Sequence, residues 1–99
     1  MLSKSQIQDI LSGYFSGKPV LRAYLFGSYA RGDADEKSDV DVMVELDYGQ
    51  SGSIWGAYVT MQEELGHKLG KKVDLVSSDG MSKYIAPFIN RDRVLVYER

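Results

Sequence analysis

The stretch Phe26-Gly27-Ser28-Tyr29-Ala30-Arg31-Gly32, continued by Ser38-Asp39-Val40-Asp41-Val42-Met43-Val44-Glu45-Leu46, decides how this chain folds. In its second part the alternation is strict. Val40, Val42, Val44 and Leu46 fall on one side, and Asp39, Asp41, Met43 and Glu45 on the other. A period of two with one apolar side predicts a half-buried β-strand. The short β-branched and aromatic run Val20 to Phe26 predicts another strand, stopped by Gly27-Ser28. Between them, Tyr29 to Ser38 is polar and reads as a turn region that opens with one helical turn after Gly27. So short a connection favours an antiparallel pair, because parallel neighbours need a longer crossover.

Outward from this pair the pattern changes to helical spacing. Ile7, Ile10, Leu11, Tyr14 and Phe15 predict a helix over Lys4 to Phe15, opened by a Ser–Gln capping pattern and ended by Gly17 and Pro19. Ile54, Tyr58, Met61, Leu65 and Leu69 predict a second long helix, with Gly70 just past its end. A third strand is expected over Lys72 to Ser77, then a turn over Ser77 to Gly80. Met81 to Asn90 reads as partly helical, with Ile85, Phe88 and Ile89 on one side and a short helix beginning near Pro87. Val94 to Tyr97 reads as a last strand. The fold class is α/β or α+β: a small mixed sheet of about four strands with helices packed against it.

Ninety-nine residues predict one domain over 1–99. The hydrophobic fraction is 43% and the charged fraction 26%, which excludes a disordered tail or a collagen-like fibre. No apolar run reaches the length of a membrane span, and Met1 to Lys18 lacks the apolar core of a signal peptide. With 12 Lys and Arg against 14 Asp and Glu, the net charge is −2, so direct nucleic-acid binding is not expected. The chain has no cysteine, hence no disulfide framework and no thiolate metal site. The expectation is an intracellular, cytoplasmic protein with no membrane attachment.

Two features carry chemistry. Asp39 and Asp41 stand two apart on a strand, so their carboxylates project from one face. Like charges held together suit a divalent cation with oxygen ligands, Mg²⁺ above all, completed by substrate phosphates. Gly27-Ser28 at a strand end allows close backbone approach and offers free donors to an anion. Together they suit a metal-chelated nucleoside triphosphate. Asp74, between apolar neighbours on the third strand, is the best third carboxylate; Glu45 and Asp47 are weaker candidates. Each has a plainer alternative. The strand acids can be solvated edge residues, Asp74 can pair with Lys71 or Lys72, and Arg31 can pair with Asp33 or Asp35. A P-loop is excluded because Asp33-Ala34 follows Gly32, and a calcium loop because Ser38 and Val44 occupy its Gly and Glu positions. His67, the single histidine, is expected on the polar side of the second long helix. Trp55 reads equally as a partner anchor, with the loop from Asp47, or as a cap on the core.

On Gly27-Ser28, Arg31 and Ser38-Asp39-x-Asp41 the chain resembles the nucleotidyltransferase superfamily that includes DNA polymerase β and kanamycin nucleotidyltransferase. Over nearly its full length it resembles the minimal nucleotidyltransferases (MNT) that serve as antitoxins beside HEPN toxins. The resemblance implies that Gly27 and Ser28 hold the β- and γ-phosphates. It implies that Asp39 and Asp41 bind Mg²⁺, and that Asp74 is the third acid of the metal site and helps deprotonate the attacking hydroxyl. Arg31 matches the motif's basic residue near the triphosphate or the acceptor, and Ser38 the motif serine, which would order the turn by a side-chain–backbone bond. The implied reaction moves AMP from ATP to a tyrosine hydroxyl of a partner HEPN toxin. Ninety-nine residues leave no room for an acceptor-binding lobe, so the acceptor is expected on another molecule and the protein in a hetero-oligomer. The alternative is a non-catalytic antitoxin that silences its partner by occlusion; modification of a small molecule such as an aminoglycoside ranks lower.

Overall fold

A computed structural model describes residues 2–49, 53–80 and 86–99. Helix α1 spans Lys4–Phe15, strand β1 Val20–Phe26, helix α2 Ser28–Arg31 and strand β2 Val40–Leu46. Helix α3 spans Ile54–Leu69, strand β3 Val73–Ser77, a 3₁₀ turn Ser78–Gly80, helix α4 Ala86–Asp92 and strand β4 Val94–Glu98.

The capping box of α1 forms as the Ser–Gln pattern predicts. Ser3 Oγ accepts from the Gln6 N–H at 3.1 Å, and the Gln6 side chain accepts from the Ser3 N–H at 2.8 Å. Helix α3 is capped by Ser53 at its start and by Gly70, with φ 64°, at its end. The four strands form one mixed sheet in the order β3-β2-β1-β4. β1 pairs antiparallel with both β2 and β4, as the short turn before β2 predicts, whereas β2 and β3 are parallel and joined through α3.

The core lies on one face of the sheet. Ile7, Leu11 and Phe15 of α1 and Met61, Leu65 and Leu69 of α3 cover Ala23, Leu25, Val40, Val42, Val44, Val73 and Leu75. The Tyr58 hydroxyl donates to the Leu75 carbonyl and ties α3 to β3. The opposite face carries Asp41, Met43 and Glu45 of β2.

Four expectations need correction. Strand β2 begins at Val40, so Asp39 precedes the strand rather than opening it. Met43 is only 1% exposed, so this face is not uniformly polar. β2 is an interior strand, and Met43 sits in register between Tyr24 and Val76, which shield it. Phe88 and Ile89 do not share a side: Phe88 is 61% exposed and Ile89 is buried, as adjacent helical positions about 100° apart require. Ile85 lies outside the described residues. Trp55 does not cap the core, for it is 69% exposed and meets Tyr58 edge-on. Pro87 does sit in the first turn of α4, where its missing N–H costs nothing.

Leu65→Ala removes a fully buried side chain from the α3 seam. A loss of about 3 kcal/mol in unfolding free energy is expected, seen as a lower urea midpoint with unchanged slope.

Candidate active site

The acid end of the sheet is assembled by register. Asp41 of β2 lies directly beside Asp74 of β3 in the parallel pair, and opposite Phe26 of β1. Gly27 follows Phe26, so the strand end of β1, the start of β2 and the start of β3 converge on one spot. Glu45 and Asp47 fall at the far end of β2, where they meet Arg22 and Arg99. Of the weighed third acids, Asp74 is the one brought to Asp41.

Gly27 is required here for two reasons. Its φ of 75° lies in the left-handed region, and a Cβ there would overlap Asp41 Oδ2 and stand 3.1 Å from Asp41 Cγ. The backbone entering α2 thus lies directly against the Asp41 carboxylate. Gly27 is the N-cap residue of α2, and its carbonyl accepts from the Arg31 N–H at 3.0 Å. One short turn therefore links Gly27-Ser28 to Arg31.

The turn that delivers Asp39 is closed by Ser38. Its Oγ accepts from the Asp35 N–H at 2.9 Å and donates to Asp35 Oδ1 at 3.2 Å. Asp35 Oδ1 also accepts from the Lys37 N–H at 2.8 Å. Ser38 thus makes the side-chain–backbone bond expected of it. The Val40 N–H donates to the Lys72 carbonyl at 3.0 Å, which locks the turn to the start of β3.

The lysine pairing considered for Asp74 does not form. Lys71 donates to the Glu36 carbonyl at 2.9 Å, and Lys72 Nζ lies 3.9 Å from Asp39 Oδ2. Arg31 pairs with Asp33, as one plain reading held, but not with Asp35; its other partner is Asp92 of α4, both at 3.2 Å. Sequence reasoning missed Asp92 and gave Lys72 a different partner, Asp74, because neither residue carries a motif signal and tertiary packing sets the partner of each. His67 is exposed, as expected.

Like charge dominates the electrostatics of the acid end. Asp41 is pushed up to about 6 by burial, then by the charges of Asp74 and Asp39; Arg31 opposes the rise. Negative charge is in excess at Asp41, which stands beside Asp74 and feels the charge of Asp39. The donors are hard oxygens, and the crowding is what a divalent cation relieves, so the residues fit Mg²⁺ chemically. Among the described residues, no group of three or more His, Cys, Asp or Glu side chains stands close enough together to hold a metal ion.

Over residues 5–99 the chain matches the family described as Polymerase beta, Nucleotidyltransferase. The chain belongs to this nucleotidyltransferase family. This nucleotidyltransferase is 41% identical to MJ1379 of Methanocaldococcus jannaschii, named by inference as a protein adenylyltransferase, over 97% of this chain and 100% of the relative. It is 35% identical to protein adenylyltransferase MntA of Thermococcus cleftensis, over 97% of this chain and 98% of that one. Its fold matches a chain of the tri-AMPylated Shewanella oneidensis HEPN toxin in complex with MNT antitoxin. That match has a TM-score of 0.70 at 17% identity, covering 97% of this chain and 73% of the other.

The burial of Asp41, and after it the charges of Asp74 and Asp39, have a measurable cost when no cation is bound. A raised folded-state pKa means that Asp41 favours the fold below about pH 4 and that this contribution is lost as pH rises through about 6. Asp41→Asn removes the titration. In EDTA it is expected to be more stable than wild type at pH 7 by about 1 kcal/mol, after discounting for solvent screening of a half-exposed group. The difference should vanish near pH 4, read by urea unfolding at both pH values.

Proposed function

We propose that this nucleotidyltransferase is a Mg²⁺-dependent protein adenylyltransferase. It moves AMP from ATP to a tyrosine hydroxyl of a partner HEPN toxin and so acts as an antitoxin in the cytoplasm. The observation that carries the reading is the pairing of Asp41 with Asp74 across β2 and β3, with Gly27 lying against Asp41. The adenylyltransferase names of the relatives, and the HEPN–MNT complex among the similar folds, support the substrate and partner classes.

Each residue has a physical task in this reading. Gly27 brings backbone donors close to the β- and γ-phosphates because no Cβ keeps them away, and the Ser28 hydroxyl adds a donor. Arg31 sets a permanent positive charge one helical turn along, where triphosphate charge gathers. Asp39, Asp41 and Asp74 would hold Mg²⁺, which when bound neutralises charge on the attacking and leaving oxygens. Asp74 accepts the tyrosine proton as the phenolic oxygen bonds to the α-phosphorus. The bond from that phosphorus to the bridging oxygen breaks, and pyrophosphate leaves in line. The protein's contribution is position and electrostatics.

The test is label transfer from α-³²P-ATP with Mg²⁺ to the co-encoded partner, with Asp39→Ala/Asp41→Ala alongside. Label on partner tyrosine with the intact protein is expected, falling by at least about a thousandfold in the variant, as for loss of a principal catalytic electrostatic group. A partner that is bound and silenced equally by both forms, without label, would replace this reading with occlusion.

A further inference from the structure

Asp92 closes α4 and belongs to no motif, yet it holds a residue of the nucleotide end. Its carboxylate is largely buried, at 11% exposure. Oδ2 meets Arg31 Nη1 at 3.2 Å and Oδ1 meets Arg91 Nε at 3.3 Å. Arg31's other partner, Asp33, is 61% exposed and only two residues away, so it is a weak constraint.

The position of Asp92 is itself fixed. The Arg93 N–H donates to the Ile89 carbonyl at 2.9 Å, and the Arg93 guanidinium lies 4.6 Å from the Tyr24 ring centre. Chain and sheet join at once, because Val94 pairs with Leu25 of β1, two residues before Gly27. The β1–β4 register therefore brings Asp92 to the same end of β1 that carries Gly27 and Ser28. A guanidinium has five N–H donors, and the two contacts to Asp33 and Asp92 use two of them. Three remain for an anion. Arg91, and then Arg31, hold Asp92 below the usual carboxylate range, so it stays charged at neutral pH.

We propose that Asp92 is the positioning residue for Arg31: it holds the guanidinium from the α4 side so that the free donors meet the triphosphate, and α4 thereby sets nucleotide affinity. This rests on the ATP reading above. The side-chain partners of Asp92 are Arg31 and Arg91, so in this proposal it acts through Arg31 and its removal weakens ground-state binding. The Michaelis constant for ATP should rise while the turnover rate changes much less.

The experiment is a double-mutant cycle of Asp92→Asn and Arg31→Ala, read by calorimetric titration with Mg-ATP and by the steady-state constants of label transfer. Asp92→Asn is expected to weaken ATP binding about fivefold to tenfold, the effect of one displaced charge-assisted hydrogen bond. In the Arg31→Ala background it should add less than about twofold, because the partner is already gone. Unchanged affinity in Asp92→Asn, or an equal further loss without Arg31, overturns the role of Asp92 and leaves the ATP reading standing. A wild-type protein that does not bind Mg-ATP removes both. Should Asp92→Asn not fold, Asp92→Glu enters the same cycle. It keeps the charge, displaces Arg31 by one methylene, and should shift the Michaelis constant at least about twofold only where Arg31 is present; no shift overturns the proposal.

Discussion

Two carboxylates side by side on parallel strands are an unfavourable arrangement, and the architecture around this site follows from keeping them there. Asp41 and Asp74 share a register position on β2 and β3, and Asp39 adds a third charge one step before the strand. Burial first, and then repulsion from Asp74 and Asp39, makes Asp41 hold its proton toward neutral pH. A parallel pair exists only with a crossover, so α3 is the structural condition for the acids to meet. The buried seam of Met61, Leu65 and Leu69 anchors that crossover. The stability supplied by the core offsets electrostatic strain at the site, and it is the strain that makes the site receptive to positive charge.

The two faces of the sheet divide the work. One is closed by α1 and α3 and is apolar throughout. The other carries the acids at one end, a shielded Met43 in the middle, and Arg22 between Glu45 and Glu98 at the far end. That far network is exposed and screened, so it adds little to stability. The charges near Asp41 matter more, because partial burial lowers the screening between them. Among the described residues, Arg31 is the positive group that opposes the rise of Asp41, and α4 reaches across to hold it.

Much of this was legible in the sequence because it depends on local geometry. The period of two in Val40 to Leu46 set a strand and put Asp41 and the apolar valines on opposite faces. The period near 3.6, with Ser3 and Gly70 at helix ends, set α1 and the end of α3. Gly27 beside Ser28, and Ser38 before Asp39, marked the two turns that frame the acids. The family resemblance rests on those same local features. Local alternation also misled: Met43 has the phase of the polar face and is buried all the same, because burial depends on which strands lie alongside. Phe88 beside Ile89 could not be sorted into inside and outside until the direction of α4 was known.

Three matters were decided by tertiary structure alone. The sequence ranked Asp74 above Glu45 and Asp47, but that it stands directly beside Asp41 is a consequence of the β2–β3 register, a pairing between residues 33 positions apart. That Lys72 lies by Asp39 instead of Asp74 follows from the turn bonded to the start of β3. That Asp92 grips Arg31 follows from the β1–β4 register, which returns the C-terminal strand to the end of the sheet where the chain first turned. Spacing along a chain determines the face on which a side chain emerges, because backbone periodicity is local. It does not determine which distant strand lies beside it, because that choice is made by the packing of the whole core.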